Sequence, residues 1–209
     1  MSYFPFFVEI GRKKCLVVGG GIVVLRKIEK LYPFGTEITV VSPAFCSELL
    51  AFAGIRRICR EFQPEDIEGM AFVIGATDDE AVNAEIAALC RDRNIPVNIV
   101  DDKEKCSFFF PALVKRGEYV AGFTSGGGAP LAAQYVRRQV EEMLPQSFEQ
   151  TIAQLSAVRE RVKQEISDIR QREAVFRALF VLALEKKGTI TEEEIERILR
   201  TEGKREETK

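Results

Sequence analysis

The sequence predicts an α/β fold: a parallel, doubly wound sheet, then a hairpin-and-helix region, then a small all-helical C-terminal domain. Three observations predict it. Short apolar runs alternate with helical patterns between Lys14 and Val100, as in successive βαβ units. Beyond Asp101 that alternation gives way to two apolar runs joined by a short polar link. From Ser147 onward strand formers are sparse, and apolar residues recur every three or four positions.

Taken in order, Lys14 to Val18 is the first expected strand, an apolar run that ends in Gly19-Gly20-Gly21. Val24, Leu25, Ile28 and Leu31 then fall at helical spacing, and Pro33 and Gly35 end that helix. Glu37 to Val41 is a β-branched run before Ser42-Pro43, the second strand of a βαβ unit. A short helix is expected between Pro43 and Ala53, and a third strand around Arg57 to Glu61, where alternation is poor. Met70 to Ala76 reads as a buried strand, Asp78 to Arg91 as a helix capped by Asp78 or Thr77, and Ile95 to Val100 as the fifth strand. Ser107 to Val114 and Tyr119 to Thr124 make the expected hairpin around Lys115-Arg116-Gly117-Glu118. Gly126-Gly127-Gly128 leads into a helix from Pro130 to about Leu144, which Pro145 stops. Ile152, Leu155, Val158, Val162 and Ile166 mark an amphipathic helical series. Thr189 to Arg200 carries a Thr191/Glu194 capping box, and Thr201 to Lys209 is charged enough to be disordered. The expected domains are residues 1–112, 113–145 and 146–209.

Composition narrows the function. With 209 residues and 46% hydrophobic content, the chain can bury one substantial core and a smaller appendage. Its 30 basic and 32 acidic side chains give a net charge of -2, which argues against general nucleic-acid binding. No apolar run approaches the roughly 20 residues that span a bilayer, and no leader-like segment opens the sequence, so a cytoplasmic protein off the membrane is expected. Five cysteines without a C-x-x-C pair suggest neither a zinc site nor a disulfide framework, and no metal ligands are expected. There is no histidine, so proton transfer must fall to a carboxylate, Lys, Tyr, Cys or water.

Gly19-x-Gly21-x-x-Val24 approximates the dinucleotide fingerprint of a Rossmann-type domain, with glycines for a tight turn and a helix amino end facing the pyrophosphate. A merely structural glycine turn is the competing reading. Val24 is bulkier than the usual third residue and should hold the helix slightly off the strand. Ser42-Pro43-Ala44 stands where an acidic ribose-binding residue is usual, and no arginine follows to take a 2′-phosphate, which favours NAD over NADP. Thr77 and Asp78 either flank the nicotinamide side of a crevice or cap a helix. Asp101 ends the fifth strand, where it is either a base at the ligand crevice or an ordinary turn residue. Thr124 to Gly128 could bind an anion through backbone amides or simply connect. Lys103, Lys105, Lys115, Arg116, Arg137 and Arg138 could line a pocket for a polycarboxylate or lie solvated. Cys106 and Tyr135 are assigned to structure.

Val17-Val18-Gly19-Gly20-Gly21-x-Val23-x-x-Arg26-Lys27, Ala76-Thr77-Asp78-Asp79, Asn98-Ile99-Val100-Asp101 and Ser125-Gly126-Gly127-x-x-Pro130 together resemble the precorrin-2 dehydrogenase family. The same order and spacing occur in the N-terminal module of siroheme synthases. The resemblance covers about the first 145 residues. It implies NAD-dependent oxidation of precorrin-2 to sirohydrochlorin and, in some members, insertion of Fe2+ to give siroheme. It assigns Asp101 as general base, Gly19, Gly20, Gly21, Ile22, Val23, Ser42, Pro43, Ala44, Thr77 and Asp78 to the cofactor, and Asn98, Ser125, Gly126 and Gly127 to the tetrapyrrole. It also implies a homodimer formed through the region after the Rossmann unit, for which Phe108-Phe109-Phe110 would suit the interface. Ile22 and Val24 depart from the family pattern and bear on nucleotide affinity. The alternative is an NAD(H)-sensing module without catalysis, which would need neither Asp101 nor a tetrapyrrole site.

Overall fold

The computed structural model describes residues 4–203. The chain divides into two compact units, Phe4–Phe110 and Pro111 onward. The expectation of one core with a satellite understates the second unit, which takes nearly half the chain, although the first holds two clusters of buried residues and the second one.

In the first unit β1 (Lys14–Val18), β2 (Glu37–Ser42), β3 (Arg56–Cys59), β4 (Phe72–Gly75) and β5 (Val97–Ile99) form one sheet in the order β3-β2-β1-β4-β5. Every pairing is parallel. This is Rossmann-type strand order, in which the chain crosses from β3 to β4 and the switch point lies between β1 and β4. Helix α1 (Ile22–Leu31), followed by a 3-10 turn at Tyr32–Phe34, joins β1 to β2, and α2 (Ser47–Ala51) joins β2 to β3. A 3-10 turn at Pro64–Ile67 lies between β3 and β4, and α3 (Glu80–Asp92) joins β4 to β5. Alternate residues of β1 feed opposite faces: Cys15 and Val17 meet Val24, Leu25 and Ile28 of α1, while Leu16 and Val18 join Ile86, Ala87 and Cys90 of α3. Burial on both faces explains why the central strands are almost continuously apolar. Each fully buried aliphatic side chain contributes about 1.5–3 kcal/mol to holding the layers together.

Two sequence expectations need correction here. The N-cap of α3 is Asp79, whose carboxylate accepts from Ala81 N at 2.8 Å and Val82 N at 3.2 Å, rather than Asp78 or Thr77. The strand expected from Ser107 begins only at Ala112, because Ser107 bonds both backbone groups of Val97 and Phe108 carbonyl takes the Asn98 amide.

The second unit opens with a hairpin, β6 (Ala112–Arg116) and β7 (Tyr119–Phe123), turned at Gly117 with φ 56. Helix α4 (Pro130–Met143) follows and buries none of its residues. Helices α5 (Phe148–Glu165), α6 (Ile169–Glu185) and α7 (Glu192–Glu202) enclose Val158, Val162, Ile166, Val175 and Leu179 with Ile195, Ile198 and Leu199. The Thr191/Glu194 capping box forms in both directions. Thr201 and Glu202 belong to α7, and the rest of the expected disordered tail, from 204, lies outside the described residues. Among the described residues no helix is long and apolar enough to cross a membrane.

Candidate functional site

The registers Val18↔Val41, Val18↔Gly75 and Gly75↔Ile99 bring the carboxyl ends of four strands level. The loops that leave them, Gly19–Gly21, Ser42–Ala44, Ala76–Asp79 and Val100–Asp101, therefore open on one edge of the sheet. In open α/β sheets that edge borders the ligand crevice.

The glycine turn is shaped by its neighbours. A Cβ on Gly19, whose φ is 126, would lie 2.3 Å from Ala76 O, and one on Gly20 would lie 1.7 Å from Ala44 O. Val24 is fully buried, and its Cγ2 occupies space 3.2 Å from where a residue-19 Cβ would stand. The bulk expected to lift the helix is thus taken up by the missing side chain of Gly19. Gly21 differs: a Cβ there would meet nothing within 4 Å, and no side chain caps α1. Ile22 and Val23 are exposed beside it. Free amides at a helix amino end, glycine-lined and open, fit a pyrophosphate.

Ser42 is buried, and its hydroxyl donates to Ala44 O at 2.7 Å, curling the 42–44 loop against Gly20. Cys46 N donates to Gly20 O at 2.8 Å, so the two loops are also hydrogen-bonded. Pro43 and Ala44 are exposed. Thr77 is bound into the fold: its hydroxyl bonds Asn83 Oδ1 at 3.0 Å, and Asn83 Nδ2 donates to Thr77 O at 2.9 Å. Asp78 is exposed beside it.

Asp101 stands exposed at the end of β5 with φ 61, a left-handed conformation that Asp tolerates better than most residues. The next residues knot the chain. Asp102 accepts from Glu104 N and Lys105 N and pairs with Lys105 Nζ at 2.6 Å. Hydrogen bonding from Lys105 holds the Asp102 carboxyl below its usual range, and Asp102 raises Lys105 in turn. Lys105 is therefore committed to the loop. Cys106 is structural as expected, its Sγ 3.2 Å from Ile99 N and 3.1 Å from Asp102 O, with burial pushing the thiol up.

Asn98 is buried, and its amide is spent inside the fold on Phe108 O at 3.0 Å, Cys106 Sγ at 3.4 Å and Lys27 Nζ at 3.5 Å. Phe108 and Phe110 lie against the α1 side of the core, and of the three phenylalanines only Phe109 is exposed. Sequence reasoning gave no role to Asn83 or to Lys27. A polar residue on the inward stripe of an amphipathic helix is the signal that marks Asn83.

In the second unit Ser125 Oγ accepts from Ala129 N at 3.0 Å, and Thr124 Oγ1 accepts from Gly126 N at 3.1 Å. Gly126 and Gly127 hold φ of 66 and 86. Arg116 and Arg137 both pair with Glu141. Tyr135 is exposed on α4 rather than packed in a core. Among the described residues no cluster of His, Cys, Asp or Glu could hold a metal ion.

A family model described as "Putative NAD(P)-binding" matches residues 6–112. The chain belongs to this NAD(P)-binding family. The chain is also 36% identical over 195 residues to a siroheme synthase of Thioalkalivibrio sulfidiphilus, covering 92% of this chain and 39% of that protein. It is 39% identical over 181 residues to the siroheme synthase of Ectopseudomonas mendocina, covering 86% of this chain and again 39% of the relative. This member of the NAD(P)-binding family thus spans about two fifths of the length of those relatives. A solved structure titled SirC, precorrin-2 dehydrogenase shares its fold, with TM-score 0.68 and 20% identity over 97% of this chain and 100% of that one.

Proposed function

We propose that this chain is an NAD-dependent precorrin-2 dehydrogenase that forms sirohydrochlorin on the way to siroheme. The observation that carries the proposal is the single sheet edge on which an open glycine cradle, the 42–44 loop and Asp101 converge, in a chain whose relatives are siroheme synthases. NAD, when bound, supplies the acceptor for a hydride. The chain's own groups do the rest. The amides of Ile22 and Val23 with Gly21 would hold the pyrophosphate, Ser42–Ala44 the adenosine side, and Thr77 and Asp78 the nicotinamide side. Asp101 takes the proton as hydride leaves the macrocycle, the work a carboxylate must do where histidine is absent. Asn98 supports the Asp101 loop through its bonds to Phe108 and Cys106.

The name borne by the relatives favours a second activity, insertion of Fe2+ as substrate into sirohydrochlorin. A homodimer through residues 113–145 and a cytoplasmic location belong to the same proposal. Support for the dimer is that α4 buries no residue and exposes Leu131, Tyr135, Val136 and Met143.

The test is anaerobic incubation with enzymatically made precorrin-2 and NAD, following macrocycle absorbance and NADH together, with iron added afterwards. Sirohydrochlorin and NADH should rise in step. NADH binding without any change in the tetrapyrrole spectrum would instead favour the sensing module.

A further inference from the structure

The proposed chemistry leaves Lys27 unused. It lies in the second turn of α1, the helix whose amino end would form the nucleotide cradle, and is half-buried. A partly buried ammonium ordinarily pairs with a carboxylate or reaches fully into water. This one has no ion pair among the described residues. It spends one donor on Asn98 Oδ1 at 3.5 Å and sets its charge over the Phe110 ring, 4.3 Å from the centroid. Asn98 passes the contact on: its other amide atom bonds Phe108 O and Cys106 Sγ, and Cys106 bonds Ile99 and Asp102 on either side of Asp101. A continuous run of contacts therefore leads from the nucleotide helix to both flanks of the Asp101 turn.

Resting on the reading of Asp101 as proton acceptor, we infer that Lys27 is the positioning residue of this site: fixed by Asn98 and Phe110, it ties α1 to the Asp101 loop and supplies the counter-charge for its carboxylate. The charged and titratable groups that act on Lys27 are Lys30 from α1 and Asp101 and Cys106 from the loop. Burial, and then the charge of Lys30, push the ammonium below the usual lysine range, while Cys106 and Asp101 pull it back up. Asp102 is already taken by Lys105 at 2.6 Å.

Two readouts test this. Reductive 13C-methylation keeps lysine charged and makes Lys27 visible by NMR, with K27M identifying its signal. In D101N the Lys27 titration midpoint should fall by about half a pH unit. An unchanged midpoint overturns the coupling, whatever turnover shows. In the precorrin-2 assay K27M, which keeps the stem against Phe110, should lower kcat about tenfold and leave KM for NAD within about twofold. K27R, which keeps the charge, should restore kcat to within about threefold of the parent. Parental kcat in K27M overturns the role. If K27M does not fold, the signal is assigned from K27R, and the D101N titration and the K27R rate decide. A parent protein without turnover whose Lys27 still responds to D101N would strike out the proposed activity and leave the coupling standing.

Discussion

Two glycine-rich turns, Gly19–Gly21 and Gly126–Gly128, each lead from a strand into a helix, yet crowding by neighbouring carbonyls marks the first and backbone dihedrals the second. At Gly20 the requirement comes from outside, since the Ala44 carbonyl occupies the place where a side chain would stand, and at Gly19 the Ala76 carbonyl adds the same crowding to a φ of 126. At Gly126 and Gly127 it comes from within, from left-handed dihedrals of 66 and 86, and a Cβ on Gly128 would meet only Ser125 O at 3.7 Å. The first turn is one wall of a cradle built from three loops. In the second the hydroxyls of Thr124 and Ser125 accept amides of the bend itself. Sequence motifs of the same composition can thus encode crowding in one place and curvature in another.

The largest expected effect is that of G20A, which places a methyl 1.7 Å from Ala44 O and 2.7 Å from Ser42 Oγ. It should cost about 3 kcal/mol or more in chemical denaturation, and a stability equal to the parent would break the comparison. D101A should reduce precorrin-2 turnover by about 100-fold or more while NAD binding, read by calorimetry, stays within about twofold. G21A separates folding from binding: the space around residue 21 is empty, so melting should be unchanged while NAD affinity falls about tenfold as the methyl enters the cradle. G127A should cost about 1 kcal/mol through its dihedral alone, without affecting NAD affinity. S125A, which leaves Ala129 N without its acceptor, should cost at most about 1 kcal/mol in the same denaturation series.

The sheet was legible because its strands are buried on both faces and so spell continuous apolar runs, and the helices because their inward stripes repeat at 3.6 residues. The third strand reads poorly for the same reason in reverse, since Arg56–Cys59 lies at the sheet edge and is only partly covered. The α3 cap could not be chosen from sequence, because Thr77, Asp78 and Asp79 all suit it. The choice is made by Asn83, which claims Thr77 and leaves Asp79 to the helix. Ser107–Pro111 looked like strand because it is apolar, but its hydrogen bonds go to Val97 and Asn98, and Pro111 has no donor to offer a ladder. Asp101 was visible as a strand-terminal carboxylate. The proposed role of Lys27 depends on a contact with Asn98, 71 residues away, which no local pattern records.

The interlock of Gly20 with the 42–44 loop has a mechanical consequence. Because Gly20 lies under the Ala44 carbonyl and accepts the Cys46 amide, neither loop can shift by an ångström without carrying the other. The two loops behave as one lever, so pressure on residues 42–44 is felt at the Gly19–Gly21 turn. Substitutions that enlarge residue 20 would then be rescued by remodelling residues 43–45, and a selection for function should recover the two changes as a pair.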